Sequence, residues 1–280
     1  MRRAVALVLS SIVSVQCGAA LATTLFDEVG PAGAVLLRSL FAALALAAMA
    51  RGQVRRVGRR QMTDVAIFAL ALAAMNLCFY ESIDRLPLGV AVTFEFVGPL
   101  GVAILGTRRR IDAVWGILAT VGIVLLSKGG GGEVDALGIA LALTAGAFWG
   151  LYILQSARVG REPGLGGLAL AAMLSTLLVT PVGIAAGGAD LFVPAVLAVG
   201  LGAGLLSSAI PYALELEALR RLPNAVFGVL MSLEPAVAAM IGFIALSQSL
   251  SAAQLIAIAL VVCASAGALR TASTPSAPEI

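Results

Sequence analysis

Apolar residues recur along this chain in runs of roughly twenty, interrupted by short stretches of arginine, glycine and small polar residues. A run of that length crosses about 30 Å of hydrocarbon as an α-helix. The pattern predicts ten such spans, at about residues 4–25, 32–50, 63–83, 87–106, 112–127, 136–156, 165–186, 193–217, 224–246 and 253–270. The connections are short, so consecutive helices must be antiparallel neighbours. A membrane β-barrel would show alternating segments of about ten residues instead. The expected fold is an all-α membrane protein.

The fourth and ninth spans share a pattern. Arg85-Leu86-Pro87 opens one and Arg221-Leu222-Pro223 the other, 136 residues apart, and in each a second proline (Pro99, Pro235) follows twelve residues after the first. Each carries a glutamate deep in the apolar run, Glu95 and Glu234. Two related halves are expected, residues 1–130 and 131–270, followed by a disordered cytoplasmic tail at 271–280 rich in Ser, Thr, Pro and Ala. Five spans per half is an odd number, so the second half must lie inverted in the bilayer.

Charge tests that expectation. With the N-terminus cytoplasmic, fifteen of the eighteen basic residues fall on the inner side, Arg85 and Lys128 fall outside, and Arg38 lies within a span. The excess of arginine on cytoplasmic loops predicts both termini inside. Loops also switch character between halves: 52–61 is basic and 187–190 is not, and 107–112 holds three arginines where 247–251 holds none. This is what inversion requires.

Composition narrows the class. The 280 residues are 60% hydrophobic and 12% charged with a mean hydropathy of +1.04, against about a quarter charged in soluble domains. The net charge of +3 sits in arginine clusters between spans, as topology demands, and does not indicate nucleic acid. There is no histidine, and Cys17, Cys78 and Cys263 fall within apolar runs, so neither metal nor cofactor is implied. Gly200 to Gly204 lacks the βαβ setting of a dinucleotide site, and Gly129 to Gly132 lacks the Lys-Ser/Thr of a phosphate loop. Met1 to Val15 reads like a secretory signal, but Gln16 spoils the lipoprotein-like site at Cys17, and apolar character continues through Ala22. An uncleaved first span is expected.

Few ionisable residues lie inside the spans. Each costs roughly 2.5–3.5 kcal/mol at mid-helix, so it normally faces the bundle interior or water. Arg38, Glu95 and Glu234 are the deepest, and together they suit the carboxylate and ammonium of a zwitterion, with a carboxylate to spare for a proton. A purely structural Arg38–Glu95 pair locking two helices is the alternative, and the roles coexist if substrate competes for the pair. Pro99, Pro211 and Pro235 each remove a helical hydrogen bond, which is tolerated at membrane depth mainly beside a cavity. Gln16, Asn76, Tyr80, Trp149, Tyr152, Gln155, Tyr212 and Glu215 are further candidates to line it, with Glu215 also placed to meet Arg220 or Arg221. The implied class is a transporter by alternating access between two inverted halves. Another cargo on the same fold, or a non-transporting membrane subunit, are the rival readings. An enzyme finds no nucleophile–base arrangement or metal motif in its favour.

Several segments together are similar to a known family: Ser14 to Ala19, Leu37-Arg38-Ser39-Leu40, Met75-Asn76 with Phe79-Tyr80, Pro87 to Pro99, Phe148 to Leu154, Pro211 to Glu215, and Phe227 to Ala236. In this order they resemble the threonine/homoserine exporter branch of the EamA group in the drug/metabolite transporter superfamily. The resemblance implies a ten-helix bacterial inner-membrane carrier that exports small amino acids at the expense of the proton gradient, with substrate, protons and the lipid bilayer as its partners. Cys17, Glu81 and Glu217 depart from that pattern, which expects glycine or apolar residues there.

Overall fold

The computed structural model of the chain describes residues 2–58, 61–105, 110–128, 135–159, 165–219, 221 and 224–272. Among them the regular structure is helical, with no strand. The helices are α1 (Arg2–Thr23), α2 (Phe26–Ala50), α3 (Met62–Ile83), α4 (Leu88–Glu95), α5 (Val97–Leu105), α6 (Arg110–Lys128), α7 (Ala136–Val159), α8 (Gly166–Gly187), α9 (Pro194–Gly204), α10 (Ile210–Leu219), α11 (Asn224–Met231), α12 (Glu234–Leu246) and α13 (Ala252–Ala272). Six apolar segments are long enough to cross a membrane, and four shorter ones occupy Leu88–Val102, Val114–Leu125, Pro194–Ala209 and Ala252–Gly267. Large apolar side chains such as Leu44, Leu70, Leu177, Phe243 and Ile244 are exposed on the outside of the bundle, as a lipid-facing surface requires.

Helix ends follow local rules. Asp135 caps α7, its Oδ1 accepting the Leu137 and Gly138 N–H groups at 2.8 and 3.0 Å. Ser251 and Gln254 cap α13 reciprocally, the Gln254 N–H donating to Ser251 Oγ and the Ser251 N–H to Gln254 Oε1. Helix α2 starts at Phe26, six residues before the expected span, because Gly30 turns the chain at φ 67°, ψ 167° ahead of Pro31. A side chain is rarely compatible with that φ. Helix α13 continues to Ala272, two residues into the expected tail, and 273–280 lie outside the described residues.

Three of the expected spans are interrupted, and each interruption sits near a proline. Helix α4 ends at Glu95, whose carbonyl would have bonded the missing N–H of Pro99. Helix α11 ends at Met231, four residues before Pro235. Between α9 and α10 a π turn, Leu205–Ala209, precedes Pro211. Helices α4 and α11 both have eight residues, begin one residue after a proline and end four before the next.

Helix α2 packs on α8, α4 on α12 and α6 on α13. Helix α3 lies against α7 and α8, and α1 against α9, α10 and α12. The first helix is thus integral to the bundle: Ser14 Oγ donates to the Leu206 carbonyl at 2.7 Å.

Two glutamines cap helices distant in sequence, Gln53 accepting the Leu165 N–H at 2.7 Å and Gln248 accepting the Leu88 N–H at 2.9 Å. Arg85 meets Asp135 at 3.5 Å. These contacts place the loop after α2 beside the start of α8, the loop after α12 beside the start of α4, and the loop after α3 beside the start of α7.

Candidate functional site

The helix breaks converge on one cavity of about 320 Å³, lined by Glu95, Ser207, Ser208, Pro211, Met231 and Glu234 together with residues of α1, α2, α3, α7 and α8. Glycine makes this convergence possible. A Cβ on Gly98 would run into the Gly146 carbonyl, and one on Gly146 into the Glu95 carbonyl. Helix α7 therefore meets the α4–α5 break backbone to backbone. One turn onward, Trp149 packs edge-on against Phe96 with ring centroids 5.3 Å apart.

Arg38 reaches the cavity from α2. Its Nε donates to Ser207 Oγ at 2.7 Å and its Nη1 to Asn76 Oδ1, while its guanidinium carbon stands 5.4 Å from the Tyr80 ring centroid. Both acceptors are themselves oriented. Asn76 Nδ2 donates to the Leu72 carbonyl at 2.7 Å, and the Ser207 hydroxyl donates to the Ala203 carbonyl at 2.6 Å. Neutral acceptors and an aromatic face thus hold the guanidinium without cancelling its charge. Among the described residues no ion pair joins Arg38 to Glu95.

Glu95 and Glu234 are 8% and 6% exposed, and neither accepts a hydrogen bond within the described residues. Gln16 Oε1 and the Tyr80 hydroxyl are also buried without a partner. Buried polar groups are normally satisfied, so four such groups around one cavity mark it as a place for a polar guest.

Of the residues singled out from sequence, Gln16, Arg38, Asn76, Tyr80, Glu95, Trp149, Tyr152 and Glu234 line this cavity. The side chain of Tyr212 lies outside the described residues. Gln155 points elsewhere: its Nε2 donates to the carboxylate and carbonyl of Asp64 at 2.7 and 3.0 Å, tying α7 to α3. Glu215 faces the cavity and accepts the Ser11 hydroxyl at 2.6 Å, while Arg221 pairs with Glu217. The arginine contact expected of Glu215 is made two residues later, by Glu217.

Residues 136–270 match the EamA-like transporter family. The threonine/homoserine exporter RhtA of Escherichia coli (strain K12) is 40% identical over 269 residues, covering 95% of this chain and 91% of that protein. The RhtA protein of Salmonella typhimurium (strain LT2) is 40% identical over 92% of this chain and 88% of that one. The chain belongs to the EamA-like transporter family. One solved crystal structure, 20% identical, matches 95% of the chain and 96% of its own with a TM-score of 0.67, which shows a shared fold.

This EamA-like transporter is a multi-pass protein of the bacterial inner membrane. Its departures from the family pattern, Cys17, Glu81 and Glu217, do not line the cavity among the described residues. Sequence reasoning missed Ser207 as the partner of Arg38. Its position four residues before Pro211 marks a carbonyl without a helical donor, which says nothing of where the hydroxyl points.

Proposed function

We propose that this protein exports small amino acids of the threonine/homoserine type by alternating access, coupled to protons. Arg38 binds the substrate carboxylate, and Glu95 and Glu234 receive its ammonium or a proton. Gln16, Asn76, Tyr80, Trp149 and Tyr152 shape the site around it. The observation that carries this reading is a guanidinium held by neutral partners, facing unpartnered carboxylates across one cavity. A zwitterion supplies both missing charges. The 40% identity to a named exporter over 95% of the chain supports the cargo class.

Two inverted halves, 1–130 and 131–270, with both termini cytoplasmic, are the proposed architecture. The packing supports it. Swapping the halves exchanges α3 with α9–α10 and α7 with α1, and both α3–α7 and α1–α9/α10 are packed pairs. The same swap maps α2–α8 and α6–α13 onto themselves, and the fourth and ninth spans, which it exchanges, touch through α4 and α12. The matched lengths of α4 and α11 agree. Alternating access then consists of one half rocking against the other around the cavity.

The test is counterflow of threonine and homoserine in proteoliposomes, with and without a pH gradient. Wild-type protein should exchange both amino acids, and a gradient should drive net flux. Arg38→Ala should abolish exchange, while Glu95→Gln should uncouple flux from the gradient. Normal exchange by both variants, at equal incorporation, would remove the assignment.

A further inference from the structure

The cavity holds more carboxylates than a neutral amino acid can answer. Among the described residues its lining offers three carboxylates, Glu95, Glu215 and Glu234, against the single guanidinium of Arg38. Arg38 is occupied by Ser207 and Asn76 and neutralises none of them by direct pairing. Glu215 is held in place by Ser11 of α1, which uses one of its oxygens. Glu215 of α10 and Glu234 at the start of α12 line the same cavity. A zwitterion brings one ammonium, which leaves the remaining carboxylates to protons or to a second cation.

A second observation points to an N–H donor as the guest. Gln16 Oε1, on a side chain 3% exposed, lines the same cavity and accepts nothing. The Tyr80 oxygen, 2% exposed, is likewise without a partner. An amide oxygen is an acceptor only, and so are ionised carboxylates. The Tyr80 hydroxyl can accept as well as donate, so an N–H donor can satisfy each of these oxygens, and an ammonium offers three.

Resting on the exporter reading above, we propose that the cavity also takes short diamino acids, whose side-chain ammonium is received by Glu215 and Glu234 while Arg38 holds the carboxylate. The diagnostic probe is 2,4-diaminobutyrate, which carries an ammonium where homoserine carries a hydroxyl. The two differ in charge at one position and barely in size. Glu215 then sets specificity between cationic and neutral side chains.

The experiment is counterflow in proteoliposomes of full-length protein, with labelled homoserine and labelled 2,4-diaminobutyrate measured in parallel. Wild type should exchange both. Glu215→Gln should lower the ratio of diaminobutyrate to homoserine exchange about tenfold, the effect of one lost charge-assisted contact. Glu215→Asp, which keeps the charge, should restore most of that ratio. Homoserine exchange without diaminobutyrate exchange would overturn the inference and leave the exporter reading standing. So would an unchanged ratio in Glu215→Gln. Diaminobutyrate exchange without homoserine exchange would support the inference and overturn the neutral cargo. Exchange of neither would overturn both.

Discussion

The guanidinium of Arg38 is useful to a substrate only because its partners are uncharged. Asn76 and Ser207 fix its direction and leave its charge unspent. Replacing Asn76 by aspartate would give it a permanent counter-ion, and charge-assisted pairs are roughly twice as strong as neutral ones. Asn76→Asp should therefore raise the KM for amino-acid exchange about tenfold with little loss of folded protein, and concentration-dependent counterflow measures it. An unchanged KM would mean that Arg38 does not contact substrate. Arg38, Glu95 and Glu234 could be chosen from sequence because a charge at mid-span is costly enough to need a reason. Ser207 could not, since a hydroxyl in a membrane helix usually bonds its own carbonyl ladder, and this one does that as well. Glu215 stood between two readings, cavity lining and arginine contact, for a related reason. Near a helix end, a carboxylate with arginines close by in sequence normally meets them, and only the packing of α1 on α10 turned it toward Ser11.

At the scale of elements, prolines and glycines act together. Pro99 frees the Glu95 carbonyl, and Gly98 and Gly146 let α7 approach that break. Gly98→Ala should cost about 1–3 kcal/mol through overpacking and lower the thermal midpoint of the detergent-solubilised protein. An unaltered midpoint would contradict the close approach. The breaks were readable because a proline removes a bond four residues back whatever the tertiary structure. The Gly98–Gly146 contact was not, since it joins segments 48 residues apart. The start of α7 supplies a prediction in pH. The Gly138 N–H, with the Leu137 N–H and the Arg85 guanidinium, holds the Asp135 carboxyl below its ordinary value of 3.8 against a smaller opposing effect of burial. A depressed folded value stabilises the fold above the ordinary value, and the contribution disappears as pH falls through the lowered one. The midpoint of Asp135→Asn should thus lie below wild type at neutral pH, with the gap closing under strong acid. A gap independent of pH would assign the effect to something other than this charge.

For the whole molecule, the loop contacts and the arginine distribution make one joint prediction about sidedness. In a background with Cys17, Cys78 and Cys263 replaced by serine, Asp84→Cys should react with an impermeant maleimide in intact cells, and Gly58→Cys only after the membrane is opened. Both positions are exposed, and nothing lies near a Cβ at Gly58. Labelling of Gly58→Cys in intact cells would reverse the orientation. Sequence alone was sufficient for the helical membrane class, for where the apolar helices fall and for the breaks near Pro99 and Pro235. Those follow from the thickness of hydrocarbon, the cost of charge within it and the missing N–H of proline, all of which act along the chain. It was insufficient for the convergence of those breaks, for the neutral cradle of Arg38 and for the bond that holds Glu215 to Ser11. These depend on which helices touch, and that is decided by small residues such as Gly98, Gly146 and Gly18, whose partners lie in other helices of the fold.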